Sequence, residues 1–143
     1  MIVYFETSAI VPIVIEETSS TVASRLWDEA DHVLSSRLVY AEGRAALATA
    51  RRMDSIDEQE LREALDAFEA LHDQLDVIEI TEGLVRDAGA LAEQLSLRGH
   101  DAVHLASARL VDDPEMVIAT RDQALIAAAR DLGMATAVWT PSS

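Results

Sequence analysis

Two acidic side chains follow short apolar segments closely enough to lie at one edge of a sheet. Glu6 comes directly after Ile2–Phe5, and Asp122 follows Met116–Ala119 by two residues. Both segments have the short, continuous apolar character of buried strands. Because the carboxyl ends of parallel strands meet at the same edge of a sheet, the sequence predicts that Glu6 and Asp122 lie near each other.

Two further acids lie on predicted helices. Asp101 opens one helical segment, near its apolar face. Glu42 is predicted to point along a buried stripe, because the residues three and four positions away from it are apolar, namely Leu38, Val39, Ala45 and Ala46. A buried carboxylate is costly unless it is paired or bound to a metal. The alternative for Glu42 is a place at the rim of the protein, with its carboxylate in water.

Helix capping explains some of these acids equally well when each is taken alone. Acidic residues are favoured near helix N-termini, which would account for Asp101 and for Asp122. Thr120 and Gln123 also have the form of a capping box. As a set of four, however, clustered carboxylates are typical ligands of hard cations, and Mg2+ or Mn2+ is the expected ion. Such an ion could activate a water for attack on a phosphodiester.

The composition limits the class of protein. The chain has 143 residues, of which 50% are hydrophobic and 26% are charged, as expected for a single globular domain over residues 1–143. It has no cysteine, which excludes disulfides, thiolate metal sites and a cysteine nucleophile. No apolar run approaches the roughly 20 residues of a membrane helix, so we expect a soluble, cytoplasmic protein.

The formal net charge of −15 opposes general binding to nucleic acid, because phosphate contacts need positive surface. Bound divalent cations or a local group of arginines could offset this charge. Arg44, Arg98 and Arg121 lie close in sequence to the acids and are the candidates for contact with RNA. Surface arginines that balance the 26 acidic residues are the simpler explanation for any one of them.

The eleven basic residues are all arginine, and this absence of lysine argues against two other α/β classes. Receiver domains and aspartate-nucleophile phosphatases both rely on a lysine near the phosphoryl group. Glycosidase chemistry needs only two carboxylates, and sugars stack on aromatic surfaces. This chain has four candidate acids but only two Trp, two Tyr and two Phe residues, so that chemistry is also disfavoured.

Strands and helices alternate along the chain, which predicts a parallel sheet covered by helices on both faces. We expect Ser35 or Ser36 to cap the helix that carries Glu42, and Gly99 and Gly133 to end two later helices. The predicted strands are 2–5, 33–34, 77–80, 116–119 and 135–138. The predicted helices are 7–15, 18–31, one from the serine cap to about 53, and then 58–75, 82–97, 100–111 and 122–132.

Four short segments resemble, in order, the motifs of PIN-domain ribonucleases. They are Ile-Val-Tyr-Phe-Glu-Thr-Ser-Ala-Ile around Glu6, Val-Tyr-Ala-Glu-Gly-Arg-Ala-Ala-Leu around Glu42, Leu-Arg-Gly-His-Asp-Ala-Val-His-Leu-Ala-Ser-Ala around Asp101 and Ala-Thr-Arg-Asp-Gln-Ala-Leu-Ile-Ala-Ala-Ala around Asp122. The match covers nearly the whole chain and looks most like the VapC toxins of bacterial toxin–antitoxin pairs. It implies a three-layer α/β/α domain with a central, mostly parallel sheet of four to five strands.

The resemblance also implies an endoribonuclease that uses Mg2+ or Mn2+. Its catalytic residues and metal ligands would be the same four acids, Glu6, Glu42, Asp101 and Asp122. It further implies a small cognate antitoxin protein, an RNA substrate and a homodimer. The family's first acid is normally aspartate, and Glu6 lengthens that side chain by one methylene. An antitoxin-binding module with weak or no catalysis is therefore the alternative function. Ser8 and Thr120 are the expected supporting partners of the acids.

Two histidines and several apolar residues are also candidates for function, but simpler structural roles explain them. Hard-cation sites prefer oxygen ligands, so His100 and His104 are predicted to be polar residues at the rim of the site. A partner protein could contact apolar residues of the early helices, although core packing is the simpler role for most of them. These residues are Leu26, Trp27, Leu61, Leu65 and Phe68.

Overall fold

The computed structural model describes residues 1–139 and has five strands and seven helices in that range. The strands are β1 (Ile2–Phe5), β2 (His32–Ser36), β3 (Asp76–Ile78), β4 (Met116–Ala119) and β5 (Ala135–Thr136). The helices are α1 (Thr7–Val14), α2 (Ser20–Glu29), α3 (Leu38–Arg52), α4 (Glu58–Gln74), α5 (Glu82–Leu95), α6 (Gly99–Val111) and α7 (Gln123–Asp131). Within residues 1–139, no helix combines the length and the apolar character needed to cross a membrane.

All neighbouring strands run parallel, in the order β3-β2-β1-β4-β5, so β1 lies at the centre of the sheet. A central parallel strand is covered on both faces, which is why β1 is a continuous apolar run. Its alternate side chains enter two different cores, with Tyr4 on one side and Val3 and Phe5 on the other. Phe5 is paired with Ala119, so β1 and β4 end side by side.

Helices cover both faces of the sheet and form a three-layer α/β/α domain, which confirms the predicted fold class. Helices α5, α6 and α7 pack on the Tyr4 side, where buried side chains include Leu91, Leu105 and Leu125. Helices α1, α3 and α4 pack on the opposite side, where they include Ile10, Leu47 and Phe68. The cores on the two faces leave only the ends of the strands open to solvent, and the acids lie at the carboxyl ends.

Gly43 allows the helix that carries Glu42 to lie close to its neighbour. A Cβ atom at Gly43 would lie 2.3 Å from the Cζ atom of Phe68, which is far inside van der Waals contact. Phe68 is 1% exposed, so its ring is enclosed by the core. Any side chain at position 43 would therefore force a shift of the Phe68 ring or of the two helices, and Glu42 is the residue next to this contact.

The predicted end of α5 at Gly99 is wrong, whereas the predicted end of α7 at Gly133 and the predicted start of α4 are confirmed. Helix α5 ends at Ser96, which adopts a left-handed conformation with φ of 54°, and Gly99 is the first residue of α6. Gly133 follows α7 with φ of 76°, as a helix-ending glycine should. Asp57 and Glu60 form a reciprocal capping box at the start of α4.

The predicted serine cap of α3 is wrong, because the residue in the capping position is Arg37. Ser36 lies one position earlier, where its hydroxyl accepts a hydrogen bond from the Leu38 N–H at 3.2 Å. Ser35 is fully buried and donates to a backbone carbonyl oxygen of β1 at 2.6 Å. Ser36 therefore satisfies the first N–H of α3 from outside the capping position, whereas Ser35 ties β2 to β1.

Candidate active site

Glu6 stands at the end of β1 and caps the N-terminus of α1. It is 7% exposed, and its carboxylate accepts hydrogen bonds from the Ser8 N–H at 3.1 Å, the Ser8 hydroxyl at 2.6 Å and the Thr120 hydroxyl at 2.6 Å. Thr120 does not form the predicted capping box with Gln123, because Asp122 is the N-cap of α7. The hydroxyls of Ser8 and Thr120 instead fix the Glu6 carboxylate where β1 and β4 end.

Glu42 reaches the same edge from α3 and is held by two side chains. Its Oε1 atom accepts hydrogen bonds from the Thr7 hydroxyl at 2.9 Å and from Nε2 of His104 at 2.6 Å. The other ring nitrogen of His104, Nδ1, lies 2.8 Å from the Tyr4 hydroxyl. Because an ionised carboxylate can only accept, Nε2 carries the proton towards Glu42, and Nδ1 is the ring atom that pairs with the Tyr4 hydroxyl.

These contacts set the ionisation of Glu42. Burial is the largest influence and by itself raises the pKa of Glu42. The hydrogen bonds from His104 and Thr7 and the nearby imidazoles outweigh burial, so the pKa lies below its ordinary value of 4.5. Burial also raises the pKa of Tyr4, which therefore remains a neutral hydroxyl donor to His104.

The position of His104 contradicts the predicted rim role, because this residue is 1% exposed. His100 is exposed, as predicted, and its Nε2 atom lies 3.5 Å from the Asp101 carboxylate. The sequence did contain a signal for the buried contact. Tyr4 carries the only side-chain polar atom in β1, and His104 interrupts a run of small and apolar residues in α6. Buried polar atoms require partners, so two isolated ones in neighbouring elements are candidates to meet.

Asp101 and Asp122 are joined by Arg98. The Arg98 side chain donates from Nε to Oδ2 of Asp101 and from Nη2 to Oδ2 of Asp122, each at 2.9 Å. The hydrogen bond to Asp101 is the main reason that the pKa of Arg98 is raised, with the charges of Asp101, Asp122 and Glu6 adding to it. Asp122 uses its other oxygen, Oδ1, to accept the Leu125 N–H at 3.0 Å and so caps α7.

The structure brings the four acids to one end of the sheet without making them converge on one point. Glu6 and Glu42 line an open groove between α1 and α3, together with Thr7, Ser8, Val11, Glu17, Ala45, Ala46, Thr49 and Arg121. Asp101 and Asp122 lie beside this groove, bridged by Arg98. In the part of the chain that the structure describes, no three acidic or histidine side chains are grouped closely enough to hold an ion.

The three arginines that we predicted to contact RNA are each paired with an acid of the protein. Arg44 donates to Glu69 at 2.9 Å on the outer face of α3 and α4. Arg121 pairs with Glu17 at the side of the groove. Arg98 pairs with Asp101 and Asp122, as described above. Arg98 and Arg121 therefore lie at the acidic edge, whereas Arg44 faces away from it.

The apolar residues of the early helices pack mainly into the core. Phe68 is fully buried, which excludes it from a partner surface. Trp27 lies against Phe5 with ring centroids 5.2 Å apart. The four partly buried members of the predicted set all pack against the core on the same face of the sheet, namely Leu26, Trp27, Leu61 and Leu65. Core packing, the simpler role, is therefore the one that the structure supports.

The fold thus has a central parallel sheet between two helical layers, with carboxylates at the ends of its middle strands, as in an α/β enzyme whose active site lies at that edge. The chain belongs to the PIN domain family, whose family model matches residues 3–131. Two relatives from Mycobacterium tuberculosis, ribonuclease VapC45 of strain CDC 1551 / Oshkosh and ribonuclease VapC49 of strain ATCC 25618 / H37Rv, are each 46% identical over 132 residues. Each match covers 92% of both chains.

Solved structures show the same fold at low sequence identity. PAE2754 from Pyrobaculum aerophilum matches with a TM-score of 0.71 and 16% identity, over 94% of this chain and 87% of that one. A chain from a toxin–antitoxin complex of Klebsiella pneumoniae matches with a TM-score of 0.61 and 18% identity, over 84% of this chain and 86% of that one. At such identities the likeness concerns the fold alone.

Proposed function

We propose that this chain is a divalent-metal-dependent endoribonuclease that acts as the toxin of a type II toxin–antitoxin pair. The observation that carries the proposal is the set of four acids at the carboxyl ends of β1 and β4, held by buried donors and by one arginine. Its 46% identity to two ribonucleases, over 92% of each chain, supports the same class of reaction. The bond that is cut would be an RNA phosphodiester.

The donor set fits Mg2+ or Mn2+, because both ions prefer carboxylate oxygen. Arg98 already places one positive charge between two of these carboxylates. A bound ion supplies a water of lowered pKa and neutralises charge on the phosphodiester. The residues that would hold it are Glu6, Glu42, Asp101 and Asp122, which would act as ligands rather than as nucleophiles and whose side chains would have to draw closer around the ion.

The remaining residues of the site orient these ligands. Ser8 and Thr120 hold the Glu6 carboxylate, and Thr7 and His104 hold that of Glu42. Hydrogen bonds that fix a ligand's direction typically matter by about 10–100-fold in metal affinity or activity. These hydroxyl and imidazole partners therefore make the carboxylates ready to bind before the ion arrives.

Arg98 and Arg121 are the arginines best placed to meet an RNA phosphate, and Arg44 would contribute only to a longer RNA. Each would have to exchange a carboxylate of the protein for a phosphate of the substrate. Such an exchange keeps binding to arbitrary RNA weak in a chain with a net charge of −15. The arginine fork suits the planar arrangement of phosphate oxygens.

A small antitoxin protein would be the partner that restrains this activity. The match to a chain from a toxin–antitoxin complex supports such a partner. The groove beside Glu6 and Glu42 is the contact area that fits it, since its α1 and α3 walls carry small and apolar side chains. A homodimer and a cytoplasmic location belong to the same proposal.

Manganese titration combined with RNA cleavage tests the proposal. Calorimetry should show Mn2+ binding to the wild-type chain and at least about tenfold weaker binding to Asp101→Asn, because a ligand charge is lost. A fluorescent single-stranded RNA should be cut by the wild type when Mn2+ is added and left intact when EDTA is added. Equal Mn2+ binding by both chains, or cleavage that EDTA does not stop, would overturn the assignment.

A binding module with little catalysis is the second candidate, because Glu6 stands where the family normally has aspartate. Ser8 and Thr120 occupy both oxygens of the longer side chain. Comparing cleavage by the wild type and by Glu6→Asp separates the two functions. An enzyme adapted to glutamate loses activity on this change, whereas a module weakened by glutamate gains activity.

A further inference from the structure

Arg98 occupies the acidic edge in a way that ordinary surface arginines do not. Its side chain is 66% exposed, yet its guanidinium reaches inward to Asp101, whose side chain is only 4% exposed. The same guanidinium reaches Asp122, which belongs to a different helix 24 residues along the chain. One exposed cation thus pairs with two carboxylates from separate elements and offsets half of their combined charge.

The oxygens that Arg98 holds are the ones that a metal ion would need. Oδ1 of Asp122 is committed to the Leu125 N–H at the start of α7, which leaves Oδ2, the atom that Arg98 contacts. Oδ2 of Asp101 is also held by Arg98, whereas its Oδ1 lies 3.5 Å from Nε2 of His100. A cation held by the Oδ2 atoms of both aspartates would therefore have to take the place of the guanidinium.

The location of Arg98 in the chain makes such an exchange simple. It is the residue before α6, it makes no side-chain capping bond there, and it follows Ser96, which ends α5. Within residues 1–139, its side chain makes hydrogen bonds to these two aspartates alone. The guanidinium can leave by rotating about its side-chain bonds, with no change to a helix or a strand.

We propose that Arg98 competes with the divalent cation for Asp101 Oδ2 and Asp122 Oδ2 and so sets the metal affinity of the site. This inference rests on the metal site of the proposed function. Arg98 offsets half of the charge of the two aspartates. Where Asp101 and Asp122 hold a cation, the guanidinium would stand free beside the site and would be available to a substrate phosphate.

The test measures Mn2+ affinity of the whole chain by calorimetry, independently of RNA cleavage. Arg98→Gln removes the competitor and should bind Mn2+ roughly tenfold more tightly than the wild type, the scale of two exposed ion pairs. Arg121→Gln is the matched control, because it removes the same charge beside Asp122 but from an arginine that pairs with Glu17. It should change Mn2+ affinity by less than about threefold.

The Mn2+ affinities of these variants either support or contradict competition by Arg98. Weaker or unchanged Mn2+ binding by Arg98→Gln would show that the arginine supports the ligands instead of competing for them. An equal increase in Mn2+ affinity in Arg98→Gln and Arg121→Gln would show a general effect of charge and would also overturn the inference. If Arg98→Gln does not fold, Arg98→Lys takes its place, since a lysine keeps the charge but lacks the fork. It should bind Mn2+ more tightly than the wild type, and unchanged affinity would count against competition.

Failure of this inference is distinguishable from failure of the proposed function. If the wild type binds Mn2+ and Asp101→Asn does not, the metal site stands whatever Arg98→Gln shows. If the wild type binds no Mn2+ but Arg98→Gln binds it, both the site and the competition are supported. If neither chain binds Mn2+, the metal site itself is wrong and the inference fails with it.

Discussion

The two glutamates and the two aspartates of the acidic edge are stabilised by different kinds of partner. Glu6 and Glu42, which we call the glutamate half, receive hydrogen bonds from hydroxyls, a backbone N–H and a buried imidazole. Asp101 and Asp122, the aspartate half, share the guanidinium of Arg98. One half is built into the core, and the other is closed by an exposed side chain.

The two halves illustrate two ways of holding carboxylates close together, by neutral hydrogen-bond donors and by a shared arginine. Neutral donors orient a carboxylate and leave its charge in place, whereas an arginine also offsets the charge. The donors of the glutamate half are fixed by α1, by α6 and by Thr120 after β4, so salt should affect this half little. The aspartate half depends on attraction to the exposed guanidinium of Arg98, which salt screens. The following substitutions and conditions separate the two halves.

The largest effect is expected from His104→Ala, which breaks the glutamate half. The change removes a fully buried ring, takes its imidazole partner from the Tyr4 hydroxyl and leaves Glu42 with Thr7 alone. We expect the free energy of unfolding to fall by about 3 kcal/mol, from the cavity and the lost hydrogen bonds together. Urea denaturation measures this loss. His100→Ala, an exposed neighbour on the same helix, should change it by less than about 0.5 kcal/mol. Similar losses in the two variants would refute the structural role of His104.

A smaller loss is expected from Tyr4→Phe, which removes one hydroxyl and keeps the ring. Nδ1 of His104 would then lack its donor inside the core. The loss should be about 1–2 kcal/mol in urea denaturation, because a buried acceptor is left unsatisfied. Tyr40→Phe removes an exposed hydroxyl that donates to Glu69 and serves as the control. A larger loss of unfolding free energy for Tyr40→Phe than for Tyr4→Phe would contradict the buried hydrogen bond between Tyr4 and His104.

Thr120→Val tests the link between the two halves at nearly constant shape. The Thr120 hydroxyl donates to Glu6 and accepts the Asp122 N–H at 3.1 Å, so the change removes one contact from each half. We expect unfolding to become about 1 kcal/mol easier. Thr49→Val, which alters a hydroxyl on an exposed stretch of α3, is the matched control. Equal stability of the Thr120 variant and the wild type would show that this hydroxyl is not needed.

The pH dependence of stability provides a test of Glu42 alone. Its pKa in the folded chain lies below the ordinary value of 4.5. Ionised Glu42 therefore contributes stability that is fully present above pH 4.5 and is lost as the pH falls through the lower, folded pKa. The stability difference between the wild type and Glu42→Gln should shrink between pH 7 and pH 3. Glu93→Gln, at an exposed position of α5, should show no such convergence, and a constant difference for Glu42→Gln would contradict the lowered pKa.

The smallest effect is expected from salt, and it falls on the aspartate half. At low ionic strength Arg98→Gln should be less stable than the wild type, because Asp101 loses its cation. The difference should narrow as NaCl is raised, since exposed charges are screened. The deficit of His104→Ala should not change with NaCl. If the stability deficits of Arg98→Gln and His104→Ala changed with NaCl in the same way, the distinction between the two halves would be wrong.

Much of this comparison could be predicted from the sequence, because local patterns carry the information. Continuous apolar runs identified β1 and β4, and the parallel arrangement placed Glu6 and Asp122 at one edge. The apolar neighbours of Glu42 indicated that it turns towards the core. Ser8, two residues after Glu6, lies close enough along the chain that its contact with that acid follows from the cap of α1.

The contacts that distinguish the two halves could not be predicted, because they join distant parts of the chain. His104 lies 62 residues after Glu42 in the chain, and their hydrogen bond depends on the order of the strands in the sheet, which no local pattern specifies. Arg98 looked like one of several arginines near an acid until the end of α5 was known. That end lies at Ser96, a residue for which a left-handed conformation is unusual, rather than at the glycine that follows.

The central place of β1 has a consequence for how the molecule is made. Strand β1 leaves the ribosome long before β4, with which it pairs on one side. The hydroxyl that holds Glu6 comes from a residue 114 positions later. A nascent chain therefore carries an unpaired edge of β1 and an unfinished acidic edge until β4 has been translated. The order of synthesis thus means that the four acids come together only after translation has passed Asp122.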